Sequence, residues 1–274
     1  MPPSAAIAVT DAAEAQDAYA YVELDPAAQG GSAMLAEECA LAIAYNGISY
    51  AVMMVSPSAI EDFVVGFSLS SAVVDSVEEI YDVRVTRSGD ALNAEVQISS
   101  RAFWALKQQR RQLAGTSGCG LCGVAALEQA LPQLKVLPPS PLPPAEHLRD
   151  LRTRIASVQS LARHSGALHA ALFVDQAGEI SLCREDIGRH NALDKLIGAL
   201  RLQGLSAREG FVVITSRCSL ELIHKAVRGE FATLVSLSAP TNLSVRWARE
   251  HRLNLIHLPH HSAPRVYSPV PDAE

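Results

Sequence analysis

Five prolines within seven residues, Pro138-Pro139-Ser140-Pro141-Leu142-Pro143-Pro144, divide this chain of 274 residues more firmly than any other stretch. Proline fixes its own φ and lacks the N–H that a helix or an inner strand needs, so the run is expected to be an extended, semi-rigid connector. The chain therefore reads as two folded parts, 33–136 and 145–274, joined by a spacer at 137–144. Residues 1–32 are rich in Ala, Asp, Pro and Gly without periodicity and are expected to be a disordered lead-in.

The first part has an α+β pattern. Two apolar runs, 39–45 and 48–55, flank Asn46-Gly47, a pair that tolerates positive φ and marks a hairpin. Ser56-Pro57-Ser58 offers a helix start, and Ile60, Phe63, Val64 and Phe67 recur at helical spacing. Strands are expected over 77–85 and 92–98, around Ser88-Gly89-Asp90. A basic helix is expected over 101–113 and a shorter helix over 124–134.

The second part alternates. A helix is expected where Leu148, Leu151, Ile155, Val158 and Leu161 share one face. A hairpin follows over 168–174 and 179–183, then helix, strand 211–215, helix 220–227, strand 234–238, helix 242–249 and strand 253–257. This order implies an α/β layer around a largely buried sheet.

Two strand-to-helix corners concentrate polar groups. The first carries Glu185, Asp186, Arg189, His190, Asn191, Asp194 and Lys195, and the second carries Thr215, Ser216, Arg217, Ser219 and Glu221. Ligands of open α/β sheets gather at such strand ends, and Arg189 and Arg217 suit a phosphate-bearing ligand. Asp186 as a simple helix cap, with Arg189 and Lys195 solvated or paired, is the structural alternative. A third loop, Leu258-Pro259-His260-His261-Ser262-Ala263, follows the last strand and reads as ligand-contacting or as plain surface.

The chemistry most open to reading lies just before the proline run, in Ser117-Gly118-Cys119-Gly120-Leu121-Cys122-Gly123. Glycines on both sides deny the CxxC pair a regular backbone and point to an exposed, adaptable loop. Zinc binding, disulfide exchange and carriage of a sulfur atom all use such a pair. The other cysteines, Cys39, Cys183 and Cys218, make an odd total of five, which argues against a disulfide scaffold. A net charge of −6 disfavours a nucleic-acid surface while leaving room for one local phosphate pocket. Apolar runs such as Leu234-Val235-Ser236-Leu237 fall far short of the roughly 20 residues that cross a bilayer. No membrane span is expected, and with no export signal the cytoplasm is the expected compartment.

Five stretches in order give the chain a family resemblance: Ser117 to Gly123 as quoted; Arg184-Glu185-Asp186-Ile187-Gly188-Arg189-His190-Asn191-Ala192-Leu193-Asp194-Lys195; Arg217-Cys218-Ser219-Leu220-Glu221-Leu222-Ile223-His224-Lys225-Ala226; Ser238-Ala239-Pro240-Thr241; and Val266-Tyr267-Ser268. From about 37 to 267 the chain resembles the FdhD/NarQ family, the formate dehydrogenase accessory sulfurtransferases. The resemblance implies a cytidine-deaminase-like three-layer α/β second domain and a homodimer. It also implies a carrier that accepts persulfide sulfur from a cysteine desulfurase. The sulfur is then passed to the Mo-bis(molybdopterin guanine dinucleotide) cofactor, or its tungsten counterpart, bound as substrate and destined for the formate dehydrogenase catalytic subunit. Cys119 matches the persulfide-carrying cysteine, Cys122 its partner, and Leu258, Pro259, His260, His261, Ser262 and Ala263 the cofactor-binding loop. That loop departs from the family pattern in lacking its usual glycine and basic residues, and Ala167, Ser216 and the segment 66–72 depart as well.

Three rivals follow from the residues. A structural zinc site needs a second CxxC or CxxH, which is missing, and a zinc deaminase needs H-x-E with P-C-x-x-C, so no intrinsic metal is expected. A thioredoxin-like protein needs its CxxC after a strand and at a helix start, whereas this one follows a helix and a glycine. A cofactor-binding chaperone of formate dehydrogenase that transfers no sulfur stays open.

Overall fold

A computed structural model describes residues 18–24, 30–115 and 131–270. Its first sheet starts from the Asn46-Gly47 turn, where φ values of 46° and 79° match the twist of the flanking strands. Strands β3 (Cys39–Tyr45) and β4 (Ile48–Val55) pair across it. The Asn46 side chain donates to Ile98 O (3.0 Å) and accepts from Ile98 N (2.7 Å), which docks the turn on β6 (Ala91–Ile98). With β5 (Ile80–Ser88) on the far side, the order is β4-β3-β6-β5. Leu41, Ile43, Tyr45, Leu92, Ala94 and Val96 alternate toward one face. There they pack on Phe63, Val64 and Phe67 of α1 (Ile60–Ser70) and on Ala102 and Leu106 of α2 (Ser100–Gly115).

The second sheet comprises β7 (His169–Asp175), β8 (Ile180–Asp186), β9 (Gly210–Ile214), β10 (Thr233–Ser236), β11 (Asn254–His257) and β12 (Arg265–Ser268), in the order β12-β11-β10-β9-β7-β8. Strands β8 to β11 run the same way, and β7 and β12 oppose them. Helices α5 (Arg189–Leu202), α6 (Leu220–Arg228) and α7 (Asn242–Glu250) cover one face, and α3 (Leu151–Val158) covers the other. The molecule is mixed α/β, and this second part has helix, sheet and helix as its three layers.

Gly66 and Gly198 join the two sheets. A Cβ on Gly66 would lie 1.8 Å from Asp194 O, and one on Gly198 would lie 1.9 Å from Asp62 O. Helices α1 and α5 therefore cross backbone to backbone, closer than any side chain permits.

Four differences from the sequence reading have physical causes. The proline run is extended but is no free spacer. Leu137 is buried in the main core and its N–H donates to His251 O (3.0 Å). Pro138 O accepts from Arg208, and Asn254 Nδ2 donates to the carbonyls of Ser140 (3.1 Å) and Pro141 (3.2 Å). Prolines withhold donors, so the strap is held by its acceptors. The helix expected across 148–161 is broken at Asp150, whose φ of 51° leaves a 3₁₀ turn, α3 and the short α4 (Ala162–Ser165). From the lead-in, β1 (Ala18–Tyr21) pairs with β2 (Gly31–Met34), which straddles the expected boundary at 32, because Tyr19 and Tyr21 favour extended backbone even inside a polar stretch. The edge strand β12 was not anticipated. Most of the helix expected over 124–134 lies outside the described residues, and 131–134 are irregular.

Gly66→Ala is expected to cost about 3 kcal/mol or more in denaturant unfolding, at or beyond the upper end for overpacking. Gly89→Ala, where φ is 60° and nothing lies within 4 Å, is expected to cost only about 1–2 kcal/mol. Equal losses would contradict the close crossing.

Candidate functional site

The carboxyl ends of β8, β9, β10 and β11 open on one edge of the second sheet, together with the start of β7 at His169. Both polar corners and the closing loop stand on this edge. Arg189 follows β8, Arg217 follows β9, and residues 258–263 follow β11. At about 4.8 Å per strand, β9 and β11 are separated by about 10 Å and β8 and β11 by about 19 Å.

Most of the first corner faces inward. Asp186 and Lys195 are both 0% exposed, and their Oδ2 and Nζ lie 2.7 Å apart. Lys195 Nζ also donates to Ser56 O (3.0 Å) and Glu185 O (3.2 Å), while Asp186 accepts from the N–H groups of Ser56 and Gly188 and from Asn191 Nδ2. Asn191 reaches Met54 O as well (2.8 Å). Burial holds the Lys195 ammonium below its usual range, and the Asp186 carboxylate opposes that shift. Glu185 is also buried and accepts from the N–H groups of Leu161 and Ala162.

A second buried pair joins Asp194 to Lys225 (2.8 Å), with Ser70 Oγ donating to Asp194 (2.6 Å). Burial raises the Asp194 carboxyl, and Lys225 pulls it back. Arg184 pairs with Asp62 of α1 (2.6 Å). Apart from those of Glu185, which lie within the second part, these contacts stitch the first sheet's elements to the second, and five of the seven polar groups at this corner are structural.

Arg189 and His190 remain for function, beside Ser219 and Glu221. His190 Nε2 lies 3.2 Å from Glu221 Oε2 and 3.4 Å from Ser219 Oγ. Burial lowers the His190 pKa to about 4, and Arg189, Lys225 and His169 add to the shift. The ring is neutral at pH 7, donates from Nε2 and leaves Nδ1 as an acceptor. Both partners meet one nitrogen, so this is not a nucleophilic triad, in which serine and acid take opposite nitrogens.

Burial raises all three described thiols: Cys39, and Cys183 and Cys218, both to about 12. None is a thiolate at neutral pH. Cys119 and Cys122 lie outside the described residues. Among the described residues no group of three or more His, Cys, Asp or Glu could hold a metal, and no helix is long and apolar enough to cross a membrane.

Arg217 is exposed, and Arg189 is partly so. In the closing loop Leu258 turns into the core and its N–H donates to Ser236 O (2.9 Å), Pro259 is half-buried, and His260, His261, Ser262 and Ala263 are exposed. The sequence reading missed Arg152 of α3, which donates to Leu237 O and Leu258 O (2.6 Å each) and so fixes where the loop begins. Nothing in the pattern around Arg152 marks it, since it reads as the polar side of an amphipathic helix.

Residues 36–272 match the profile of the FdhD/NarQ family. The chain belongs to that family. The sulfur carrier protein FdhD of Bordetella bronchiseptica is 37% identical over 241 residues, 88% of this chain and 87% of that one. The sulfur carrier protein FdhD of Cupriavidus necator is 41% identical over 224 residues, 81% and 77% of the two chains. A solved structure of a candidate formate dehydrogenase accessory protein from Desulfotalea psychrophila superposes with a TM-score of 0.69 at 21% identity, covering 92% of this chain and 96% of that one, a likeness of fold.

Two outcomes are expected for this FdhD/NarQ chain. Lys195→Ala and Asp186→Ala should each cost about 3–5 kcal/mol in equilibrium unfolding, and the double variant less than their sum, because each single change strands a buried charge. Because His190 titrates lower folded than unfolded, the unfolded chain binds the extra proton between pH about 6.5 and about 4, and this residue's contribution makes stability decrease as the pH drops from about 6.5 to about 4. NMR of the His190 ring should show a midpoint near 4 that moves up in Arg189→Gln; a midpoint near 6.5 in both would refute the shielding.

Proposed function

We propose that this chain is a sulfur carrier serving a formate dehydrogenase. The observation that carries the reading is the set of relatives at 37% and 41% identity, named sulfur carrier protein FdhD and aligned over most of both chains, together with a CxxC pair at Cys119 and Cys122. The raised pKa values of Cys39, Cys183 and Cys218 support it by making those thiols poor nucleophiles.

In this reading the Cys119 thiolate attacks the terminal sulfur of a cysteine desulfurase persulfide. The new S–S bond holds the sulfur on Cys119, and the donor's cysteine leaves as thiolate. Attack by Cys122 on Cys119 Sγ then expels the carried sulfur as sulfide. The two thiols become a disulfide and supply the two electrons that reduce the sulfur, and a thiol reductant resets the pair. The acceptor is the Mo-bis(molybdopterin guanine dinucleotide) cofactor, bound as substrate before it enters the dehydrogenase catalytic subunit.

Arg189, Arg217 and residues 258–263 lie along one edge spanning about 19 Å, which suits an elongated dinucleotide better than a compact anion. Arg189 and Arg217 would neutralise phosphate, and the loop His260-His261-Ser262-Ala263 would lie over the ligand. A homodimer working in the cytoplasm completes the reading.

Mass spectrometry after incubation with a cysteine desulfurase and cysteine is expected to find one added sulfur atom on Cys119, lost in Cys119→Ala and retained at reduced yield in Cys122→Ala. Unchanged loading of Cys119→Ala would defeat the assignment. A Cys119→Ala protein that still supports an active formate dehydrogenase would replace the carrier with a cofactor chaperone.

A further inference from the structure

Helix α2 is the last described element before the CxxC pair, and its two sides differ. Ala102 and Leu106 are buried against the first sheet, with Phe103 packed beside them. Trp104 turns to solvent and is 59% exposed, whereas the chain's other tryptophan, Trp247, packs against the main core. A helix face that meets only water needs no indole, since Glu, Gln and Lys form helix better and expose less apolar area.

Lys107, one turn on, holds its ammonium 4.2 Å from the centre of the Phe103 ring and 5.7 Å from that of Trp104. The helix contains Arg101, Lys107, Arg110 and Arg111 and no acid, in a chain whose net charge is −6. Arg101 is taken up by Asp75 and Glu79 at the start of the helix. The remaining positive charge therefore lies in the half of α2 that leads to Cys119. Tryptophan is among the side chains that anchor protein interfaces, and a ring already braced by Lys107 loses less freedom when it docks.

Reach decides which partner this surface serves. Trp104 to Gly115 is eleven residues of helix, about 16 Å, and Gly115 to Cys119 is four residues, at most about 14 Å. Cys119 thus stays within about 30 Å of Trp104, and an interface of about 800 Å² per partner is about 32 Å across. A protein seated on α2 covers the whole range of the carrier thiol. The partner that must cover it is the one that hands sulfur to Cys119.

We propose that Trp104 and Lys107 form the docking surface for the persulfide donor, a protein that presents acidic side chains around an apolar recess able to take an indole. The inference rests on the carrier reading and adds to it the place where the donor binds. Positive charge on α2 draws an acidic partner to a chain that otherwise repels it, and Trp104 supplies the apolar anchor.

The test follows persulfide formation on Cys119 of the full chain by mass spectrometry. The sulfur source is a purified cysteine desulfurase with cysteine or, separately, sodium trisulfide, from which a thiolate takes one sulfur atom as S₂²⁻ leaves. Trp104→Ala and Lys107→Glu are each expected to raise the donor concentration for half-maximal loading about tenfold. The rate at saturating donor and loading by trisulfide should both stay at wild-type values. Tyr19→Ala, an equally exposed aromatic (60%) on β1, should match wild type throughout. Added sodium chloride should weaken the donor more in wild type than in Lys107→Glu.

Unchanged donor dependence in both variants would overturn the surface, and so would slowed loading by trisulfide, which marks an effect on Cys119 itself. A variant that sediments as a smaller species than wild type assigns the face to a second copy and also overturns it. Donor affinity in the absence of cysteine is measured by calorimetry on the same preparations. Binding that weakens in both variants, with no persulfide on wild-type Cys119, keeps the surface and removes the carrier. Normal loading with binding that neither variant alters does the reverse.

Discussion

At Gly66 and Gly198 two helices from different sheets touch through their backbones, and most of the long-range polar structure depends on that contact. Only at this separation does Arg184 reach Asp62, Ser70 reach Asp194, and Lys195 reach the carbonyl of Ser56. Each of these bonds joins residues more than 120 positions apart in the chain. A single added methyl group at either glycine would push them past hydrogen-bonding range, leaving charges buried and unpaired. The crossing therefore makes the two sheets one polar unit.

That arrangement sets the electrostatics of the functional edge. The chain carries a net charge of −6, yet at the first corner Glu185, Asp186 and Asp194 turn inward and are consumed in structural bonds. Arg189, Arg217, Arg265, His260 and His261 stay at least partly open to solvent on the same side. An acidic protein thereby presents a basic rim where its parallel strands end, the place where α/β sheets hold anionic ligands. His190 is kept neutral beside Arg189, so it adds hydrogen-bonding capacity to the rim without adding charge.

Much of the fold was legible because its cues are local. Asn46-Gly47 closed its hairpin by backbone preference, and the alternation of apolar runs with helical patterns after residue 168 located most elements of the second sheet. The roles of individual polar residues were harder to read. Glu185, Asp186, Asn191, Asp194 and Lys195 look like a ligand-facing set in one dimension, since residue type reports chemistry and not direction. The proline run looked like a spacer for a similar reason: its lack of donors is visible in the chain, while Asn254 and Arg208, which hold its carbonyls, come from elsewhere.

By itself the sequence determined the α/β alternation, the thiol pair at Cys119 and Cys122, and the family, all carried by residue order and short-range preference. Tertiary structure alone decided that the acidic corner is a seam, that Leu258 is an anchor, and that Arg152 lies against the loop 106 residues away in the chain. Burial and charge pairing depend on which surfaces meet. Here the meeting is set by two glycines that leave room for it.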